Sequence, residues 1–279
     1  MANILKGKDV ALKIDEESME MAKTLNPSLA LFKVGNKDND GAYEKGIDNK
    51  ASKIGIKVIK YCFDEDVSKE EFYSKLDEAN TDENIHGILV FRPLPKHIDE
   101  NDLNKHLSIK KDVDACLNES LAGTFIGLKE TFSPCTAEAV VKLLDYYNID
   151  LVGKNVVVLG RSLVIGKPVS MLLLNKNATV TICHSKSENL KEVCSRADIL
   201  VCATGKMESI TKDYTNKDQT VIDVGIGFNE IKNKLCGDVL FEEVEPNVKN
   251  ITPVPGGIGS ITTSILLNHV TIACKKASH

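Results

Sequence analysis

Short apolar runs rich in β-branched residues alternate with amphipathic stretches along the first ninety residues of the chain. The pattern predicts strands at residues 29–34, 57–63 and 87–90, and helices at residues 42–54 and 68–80. The second of these helices has a capping-box start, with Ser68 as its N-cap and Glu71 three residues later. Strands and helices that alternate at this spacing indicate parallel βαβ units.

The pattern changes after residue 95. Residues 96–134 show no regular period, and a helix is then predicted at residues 136–147, with Ser133 as its candidate N-cap and Pro134 as its first residue. A second βαβ series follows, with strands predicted at residues 155–159, 178–183, 199–203 and 220–224. Apolar residues recur at helical spacing from Ile261 to the end. We therefore expect an α/β protein of two domains, joined near residues 146–152.

Composition narrows the function classes. The chain has 279 residues, of which 42% are hydrophobic and 27% charged, so it can bury a sizeable core. Its formal net charge of -5 disfavours a nucleic-acid partner, which selects for a basic excess. No apolar run approaches the roughly 20 residues of a membrane span, and the first residues lack the apolar core of a signal peptide. We expect a cytoplasmic protein with neither a nucleic-acid nor a membrane partner.

The cysteines and histidines do not form a metal-binding pattern. Eight cysteines are scattered along the chain, and no pair has C-x-x-C spacing. We interpret them as reduced thiols that act as small hydrophobes, including Cys135, which follows Pro134 at a predicted helix start. Because His86, His97 and His106 have no ligand spacing with acids or thiols, no metal site is predicted.

A phosphate-binding turn is predicted at residues 160–166, with the sequence GRSLVIG, because this segment follows a strand and opens a helix. Ser162 occupies the place of the second glycine in the G-x-G-x-x-G pattern, so a purely structural turn remains an alternative. The next strand ends in Cys183-His184-Ser185-Lys186, without the acid that holds the ribose of NAD. Arg161, Ser162, Ser185 and Lys186 suit a 2′-phosphate, which favours NADP over NAD. The alternative is that Lys186 only faces solvent.

Six motifs follow one another along the chain. They are GILV-x-x-PLP at 87–95, KDVD at 111–114, PCT at 134–136, VLGRS-x-x-x-GKP at 158–168, VIDVG at 221–225 and TPVPGGIG at 252–259. In content and order they resemble the motifs of the methylenetetrahydrofolate dehydrogenase/cyclohydrolase family (FolD). The resemblance extends over nearly the whole chain, from about residue 34 to residue 262.

This resemblance implies an NADP-dependent oxidation of 5,10-methylenetetrahydrofolate to 5,10-methenyltetrahydrofolate by a cytosolic homodimer. Most members of the family then hydrolyse the product to 10-formyltetrahydrofolate. The implied architecture is a folate-binding catalytic domain, residues 1–146 with the C-terminal helix 262–279, and a Rossmann-type NADP-binding domain, residues 147–261. The folate is expected to bind in a cleft between the two.

The resemblance also assigns site residues. Tyr43 and Asp114 are the expected catalytic residues, and Asp114 matches the aspartate that holds the pterin ring. The expected substrate-binding residues are Tyr43, Val90, Pro93, Leu94, Asp114, Pro255, Gly256 and Gly257. The expected cofactor-binding residues are Gly160, Arg161, Ser162, Ile165, Gly166, His184, Ser185, Ile226 and Thr263. Asp223 is expected near the nicotinamide, together with Ile226.

The chain departs from the family pattern on the catalytic helix and directly after the third strand. The family has Tyr-x-x-x-Lys on its catalytic helix, an i,i+4 pair on one face, whereas Tyr43 is followed here by Ile47. The family strand also runs into Gln-Leu-Pro-Leu-Pro, whose glutamine contacts that lysine, whereas this chain has Phe91 and Arg92 there. Both members of a contacting pair are therefore replaced.

The replacements affect the two reactions differently. Hydride transfer mainly requires alignment of donor and acceptor, but hydrolysis requires a group that moves protons, which isoleucine lacks. We therefore predict a dehydrogenase with weak or absent cyclohydrolase activity. Lys50, seven residues after Tyr43 and about 10 Å along the helix axis, is an alternative proton carrier; Arg92 stays too firmly protonated. A fully bifunctional enzyme and a non-catalytic cofactor-binding module remain the other candidates.

Overall fold

The computed structural model of the chain describes residues 1–35 and 40–278. Within them the strands are β1 (Asn3–Ile4), β2 (Ser28–Val34), β3 (Lys57–Phe63), β4 (Gly87–Val90), β5 (Asn155–Leu159), β6 (Thr179–Cys183), β7 (Ile199–Cys202), β8 (Thr220–Asp223), β9 (Gly227–Asn229), β10 (Lys234–Cys236) and β11 (Asn250–Ile251). The α-helices are α1 (Gly7–Ala22), α2 (Asp40–Ile54), α3 (Lys69–Thr81), α4 (Leu103–His106), α5 (Asn118–Ile126), α6 (Cys135–Tyr146), α7 (Gly166–Asn175), α8 (Leu190–Ser195), α9 (Phe241–Val244) and α10 (Gly259–Ala277).

The first compact unit comprises Met1–Ala11, Thr124–Gly127 and Pro134–Thr262. Its centre is a six-stranded parallel sheet in the order β1-β11-β8-β7-β5-β6, and β9 and β10 form a separate antiparallel hairpin. The central strands β5, β7 and β8 are nearly continuous apolar runs, as expected for parallel strands that helices cover on both faces. This arrangement places the ends of β5 and β8, and the loops after them, at the carboxyl edge of the sheet, where open α/β sheets bind ligands.

The second compact unit comprises Leu12–Gly123, Leu128–Ser133 and Thr263–His279. Its sheet has three parallel strands in the order β3-β2-β4. The central strand β2 is buried over almost its whole length, and Phe32 from β2 packs edge-on against Phe72 from α3, with ring centroids 5.9 Å apart. The carboxyl ends of β2 and β4 therefore present α2 and the segment after Val90 on one edge of this sheet.

The predicted domain boundaries differ in places from the two compact units. The units place Met1–Ala11 and α6 with the six-stranded sheet, whereas the prediction assigned both to the catalytic domain. β1 explains the first difference, because it pairs with β11 and so ties the N-terminus to the larger sheet. None of the helices in the described residues is long and apolar enough to cross a bilayer.

Two local predictions were wrong. Residues 96–134 were expected to be irregular, but they contain α5 and the short α4. The residue that caps α6 is Pro134, which makes no side-chain hydrogen bond to the helix, and Ser133 precedes the cap. Pro134 fits this place because a proline lacks the N–H that the start of a helix leaves unpaired. By contrast, Ser68 caps α3 as predicted, and its Oγ accepts from the Glu71 N–H at 3.1 Å.

Candidate functional site

Tyr43 lies near the start of α2 and its side chain is 38% exposed, so it is available to a ligand. A network of ion pairs fixes this part of the helix to the sheet. Glu44 accepts from Lys33 at 2.6 Å and from Lys60 at 2.7 Å, and Lys60 also donates to Asp48 at 2.6 Å. The hydrogen bonds from Lys33 and Lys60 hold the pKa of Glu44 below its usual value. Tyr43 is therefore presented by a firmly anchored helix.

Ile47 follows Tyr43 by one helical turn and is completely buried, with 0% of its surface exposed. Residues four apart lie on the same face of a helix, so the position next to Tyr43 is filled by a hydrocarbon side chain. Phe91 extends this apolar surface, because it is buried and its ring centroid lies 5.6 Å from that of Tyr43. The Phe91 N–H donates to the carbonyl of Phe32 at 2.9 Å, which continues the sheet one residue beyond β4.

Lys50 lies one turn further along α2, and its ammonium group is committed elsewhere. Lys50 Nζ lies 3.0 Å from Asp15 Oδ2 on α1 and 2.5 Å from Ser264 Oγ on α10. The ammonium therefore has a carboxylate and a hydroxyl as its hydrogen-bond partners. In this arrangement Lys50 links α2 to α1 and α10.

The two aspartates of the KDVD motif have different surroundings. Asp112 is fully buried, and its carboxylate accepts from the backbone N–H of Cys116 at 2.9 Å, the N–H of Leu117 at 3.0 Å and the hydroxyl of Ser120 at 2.6 Å. It therefore fixes the start of α5. The Asp114 side chain is 30% exposed and lies 3.9 Å from the guanidinium of Arg92, measured from Oδ2 to Nη2. Of the two, Asp114 is the one a ligand can reach.

The other residues predicted to bind substrate in this unit are mostly core residues. Val90 and Leu94 belong to the hydrophobic core around Phe32, whereas Pro93 is exposed. The Leu94 N–H donates to Glu100 Oε1 at 2.7 Å, which fixes the path of the chain after β4. Contacts from Val90 and Leu94 to a ligand therefore have to come from their main chain.

The predicted phosphate-binding turn joins β5 to α7 in the first unit. Gly160 has a φ of +133°, and a Cβ there would lie 2.2 Å from the Ala203 carbonyl oxygen, so only glycine fits. Ser162 Oγ accepts from the Ile165 N–H at 3.2 Å, and the Ser162 carbonyl accepts from the Lys167 N–H at 3.0 Å. The turn therefore keeps its shape through Ser162 where other such turns use a second glycine.

A second turn follows β6 at residues 184–187. His184 Nδ1 accepts from the Lys186 N–H at 3.1 Å, and the His184 N–H donates to Ser187 Oγ at 3.0 Å. His184 therefore shapes the turn, while Ser185 and Lys186 stay exposed. Because β5 and β6 are adjacent parallel strands, their carboxyl ends place this turn beside the one at residues 160–166. With Arg161 and Ser162 exposed in that turn, the donors needed for a phosphorylated ribose lie along one edge.

Asp223 ends β8 and is buried. Its carboxylate accepts from the backbone N–H groups of Gly225, Asp238 and Val239, each at 3.0 Å, and burial raises its pKa to about 7. Its role is to shape the loop that exposes Ile226. Sequence reasoning missed Asp238, which is also buried and accepts from the N–H of Thr204 at 2.5 Å; only tertiary contacts reveal it.

Pro255, Gly256 and Gly257 form a tight loop before α10. A Cβ on Gly257 would lie 2.5 Å from the Pro253 carbonyl oxygen, and the Gly256 carbonyl accepts from the Gly7 N–H at 2.8 Å. Pro255 lines a cavity of about 250 Å³, together with Asp223 and the β10 strand. Thr263, the remaining predicted cofactor residue, lies half-buried at the start of α10.

The thiols show no sign of activation. Cys135 is buried at the start of α6, and all eight cysteines are free. Desolvation raises the pKa of Cys194 to about 12 and that of fully buried Cys202 well above its usual value. Among the described residues, no group of three or more His, Cys, Asp or Glu is arranged to hold a metal ion.

Comparison with known proteins gives a consistent family assignment. Residues 5–114 match the model of the tetrahydrofolate dehydrogenase/cyclohydrolase catalytic domain, and residues 134–278 match that of the corresponding NAD(P)-binding domain. The Bifunctional protein FolD of Clostridium botulinum (strain 657 / Type Ba4) is 46% identical over 283 residues, which cover 100% of both chains. That of Clostridium kluyveri is 47% identical over 281 residues, covering 99% of this chain and 98% of the relative.

Solved structures extend the likeness to the fold. The crystal structure of FolD from Campylobacter jejuni has a TM-score of 0.95 at 35% identity and covers 99% of each chain. The Trypanosoma brucei enzyme, described as complexed with NADP cofactor and inhibitor, has a TM-score of 0.92 at 30% identity and covers 100% of this chain and 99% of its own.

Proposed function

Because the chain belongs to the tetrahydrofolate dehydrogenase/cyclohydrolase family, we propose that it oxidises 5,10-methylenetetrahydrofolate to 5,10-methenyltetrahydrofolate with NADP⁺ as the hydride acceptor. The full-length match to both domains supports the reaction. The two turns after β5 and β6 support NADP over NAD, because they present Arg161, Ser162, Ser185 and Lys186 and no acid. NADP⁺, when bound, supplies the nicotinamide ring that accepts the hydride.

In this proposal the protein's main task is alignment. Tyr43 is exposed on an anchored helix and positions the substrate, while the Asp114 carboxylate holds the pterin and supports the positive charge that forms. The exposed Ile226 and the loop at Pro255–Gly257 are the proposed neighbours of the nicotinamide and of the folate. The folate nitrogens stabilise the methenyl cation themselves, so no protein base is required for this step.

We further propose that hydrolysis of the methenyl product is weak or absent, and the buried Ile47 is the observation that carries this proposal. Attack by water requires a group that takes up one proton and delivers another. An alkyl side chain cannot do so, Phe91 has replaced the amide partner, and the Lys50 ammonium is held by Asp15 and Ser264. The hydrophobic pair of Phe91 and Tyr43 also disfavours an ordered water at this place.

The test is to supply methylenetetrahydrofolate and NADP⁺ and to follow NADPH together with the absorbance of the methenyl product. We expect NADPH and methenyltetrahydrofolate to appear in equal amounts, and the methenyl signal to decay at the rate measured without enzyme. Rapid enzyme-dependent decay would favour the second candidate, a fully bifunctional enzyme. The names of the Clostridium relatives, which are described as bifunctional, favour that candidate.

A homodimer is the proposed assembly, and the exposed apolar surface of the first unit supports it. β6 is an edge strand with the exposed Ile182. α7 packs against β6 and ends beside the exposed Leu174. Gly127 lies against Asn175 at the end of α7, so the exposed Ile126 at the end of α5 adjoins the same surface. Several exposed apolar side chains on neighbouring elements are typical of an interface.

Light scattering should give twice the mass of one chain, and Ile182→Asp should shift the protein toward the monomer. The control is Met19→Asp, an exposed apolar position on the part of α1 in the other unit. A monomeric parent protein contradicts the proposal. Eight free thiols suit a reducing compartment, so we propose a cytoplasmic location, which cell fractionation tests.

A further inference from the structure

Arg92 stands where the family pattern has leucine, and it is the charged side chain beside Asp114. Its Nη2 lies 3.9 Å from Asp114 Oδ2, and the two side chains are 27% and 30% exposed. That spacing exceeds the roughly 2.7–3.2 Å of an N–H···O hydrogen bond. The guanidinium and the carboxylate are therefore neighbours at one surface that are not joined directly by a hydrogen bond.

The backbone on both sides of Asp114 is held firmly. The Val113 carbonyl lies 2.8 Å from Nδ1 of His269 on α10, and that buried imidazole stacks on Phe132 with ring centroids 4.4 Å apart. Ala115, the next residue, has a φ of +52° and is buried. Asp112 is saturated by three donors of its own. Arg92 therefore faces one carboxylate of the motif, that of Asp114.

The chemistry of a pterin matches this pair of side chains. One edge of a 2-amino-4-oxopterin presents two donors and an acceptor in a row, namely the 2-amino group, N3–H and the 4-oxo oxygen. A carboxylate accepts from two neighbouring donors, and a guanidinium N–H donates to a carbonyl oxygen. We propose that Arg92 is a specificity-determining residue that donates to the 4-oxo oxygen while Asp114 accepts from N3 and the 2-amino group. This inference rests on the proposed function, in which a folate is the substrate.

The test compares two ligands that differ at the 4-position. Anaerobic calorimetry measures the dissociation constants of tetrahydrofolate and of its 4-amino analogue, whose 4-substituent is a donor, for the parent protein, Arg92→Leu and Arg92→Lys. Differences that arise at Asp114 are common to the three proteins and cancel in the comparison. We expect the preference for the 4-oxo ligand to fall by roughly 10- to 100-fold in Arg92→Leu, the range for a hydrogen bond to a charged group.

The variants separate this role from a purely structural one. Arg92→Lys keeps the charge without the planar fork, so it should retain part of the preference. Lys96→Leu removes a positive charge at a neighbouring exposed position and should leave the preference unchanged. If Arg92→Leu weakens the binding of both ligands by the same factor, or changes the binding of neither, the inference is overturned and the proposed dehydrogenase function stands. If the parent protein binds neither ligand, the proposed function fails, and this inference fails with it.

Discussion

Restoring the proton carrier is the perturbation that tests the proposed loss of hydrolysis most directly. The variants are Ile47→Lys, Phe91→Gln and the double substitution, with Ile47→Met as a control that has a similar chain length and no amine. General acid–base assistance is typically worth about 10²- to 10⁴-fold. We therefore expect enzyme-dependent decay of the methenyl absorbance to rise by about 100-fold or more in the double variant, and dehydrogenase turnover to change by less than about 10-fold.

The burial of residues 47 and 91 determines how much each substitution should lower the free energy of unfolding. Ile47 is completely buried, so an unpaired ammonium there should lower the free energy of unfolding by about 3 kcal/mol or more. Phe91→Gln removes a buried ring and its contact with Tyr43, which should cost about 2–4 kcal/mol. In the double variant the glutamine oxygen can accept from the new ammonium. The double variant should then be more stable than the sum of the single effects by about 1.5–3 kcal/mol.

Urea unfolding of the parent protein, the two single variants Ile47→Lys and Phe91→Gln, and the double variant gives these free energies, and the absorbance assay gives the two rates. Ile47→Met should leave hydrolysis at the parent level. The reasoning is refuted if the double variant folds, keeps its dehydrogenase activity and gains no hydrolysis. It is equally refuted if Ile47→Met gains as much as Ile47→Lys, because a methionine cannot move a proton.

Three further predictions concern the first unit. Ser185→Asp should raise the KM for NADP⁺ by about 10-fold or more, because a carboxylate repels the 2′-phosphate. The KM for NAD⁺, which lacks that phosphate, should stay nearly unchanged. Steady-state kinetics with each cofactor measures both KM values. Gly160→Ala should abolish NADP binding in calorimetry, since its Cβ would lie 2.2 Å from a carbonyl oxygen, whereas Gly153→Ala, with the same kind of positive φ but open space, should still bind. Burial raises the pKa of Asp223 from 3.8 to about 7, so the native state holds a proton that the unfolded chain has released between about pH 4 and pH 7. Stability from this group therefore falls as the pH rises through that window. Asp223→Asn should flatten the fall between pH 5 and pH 7.5 in urea titrations, and parallel curves for the two proteins would contradict this.

The sequence predicted the elements with regular periodicity closely. β3, β4 and β5 have the expected bounds, because alternation and apolar runs are local signals. The family, the two-domain α/β fold and an NAD(P)-binding domain are confirmed by the comparisons. α5 was missed because Gly123 and Thr124 weaken its helical pattern. Its start depends on the buried Asp112, whose carboxylate satisfies three donors there.

The candidate site contains contacts that local sequence patterns could not predict. Motif matching predicted Tyr43 and Asp114 as site residues, but it gave no sign that Arg92 would lie beside Asp114. It also left open whether Lys50 could replace the missing lysine. Helical spacing placed Lys50 near the right face, yet its partners Asp15 and Ser264 come from α1 and α10. Contacts between residues so far apart in sequence leave no periodic trace, so they follow from the tertiary structure alone.

The proposed loss of hydrolysis without loss of the dehydrogenase rests on two features of the structure. A glutamine at position 91 with Ile47 retained would be a buried amide without a charged partner at position 47, and a lysine at position 47 with Phe91 retained would be a buried charge without the glutamine as its acceptor. Each single replacement is costly, whereas the apolar pair is self-consistent. The backbone next to Asp114 is held by contacts that involve neither position, through the Val113 carbonyl beside His269 and through the loop capped by Asp112. In the proposed mechanism hydride transfer depends on alignment by Asp114 and Tyr43, so it is separable from the proton chemistry that Ile47 and Phe91 cannot supply.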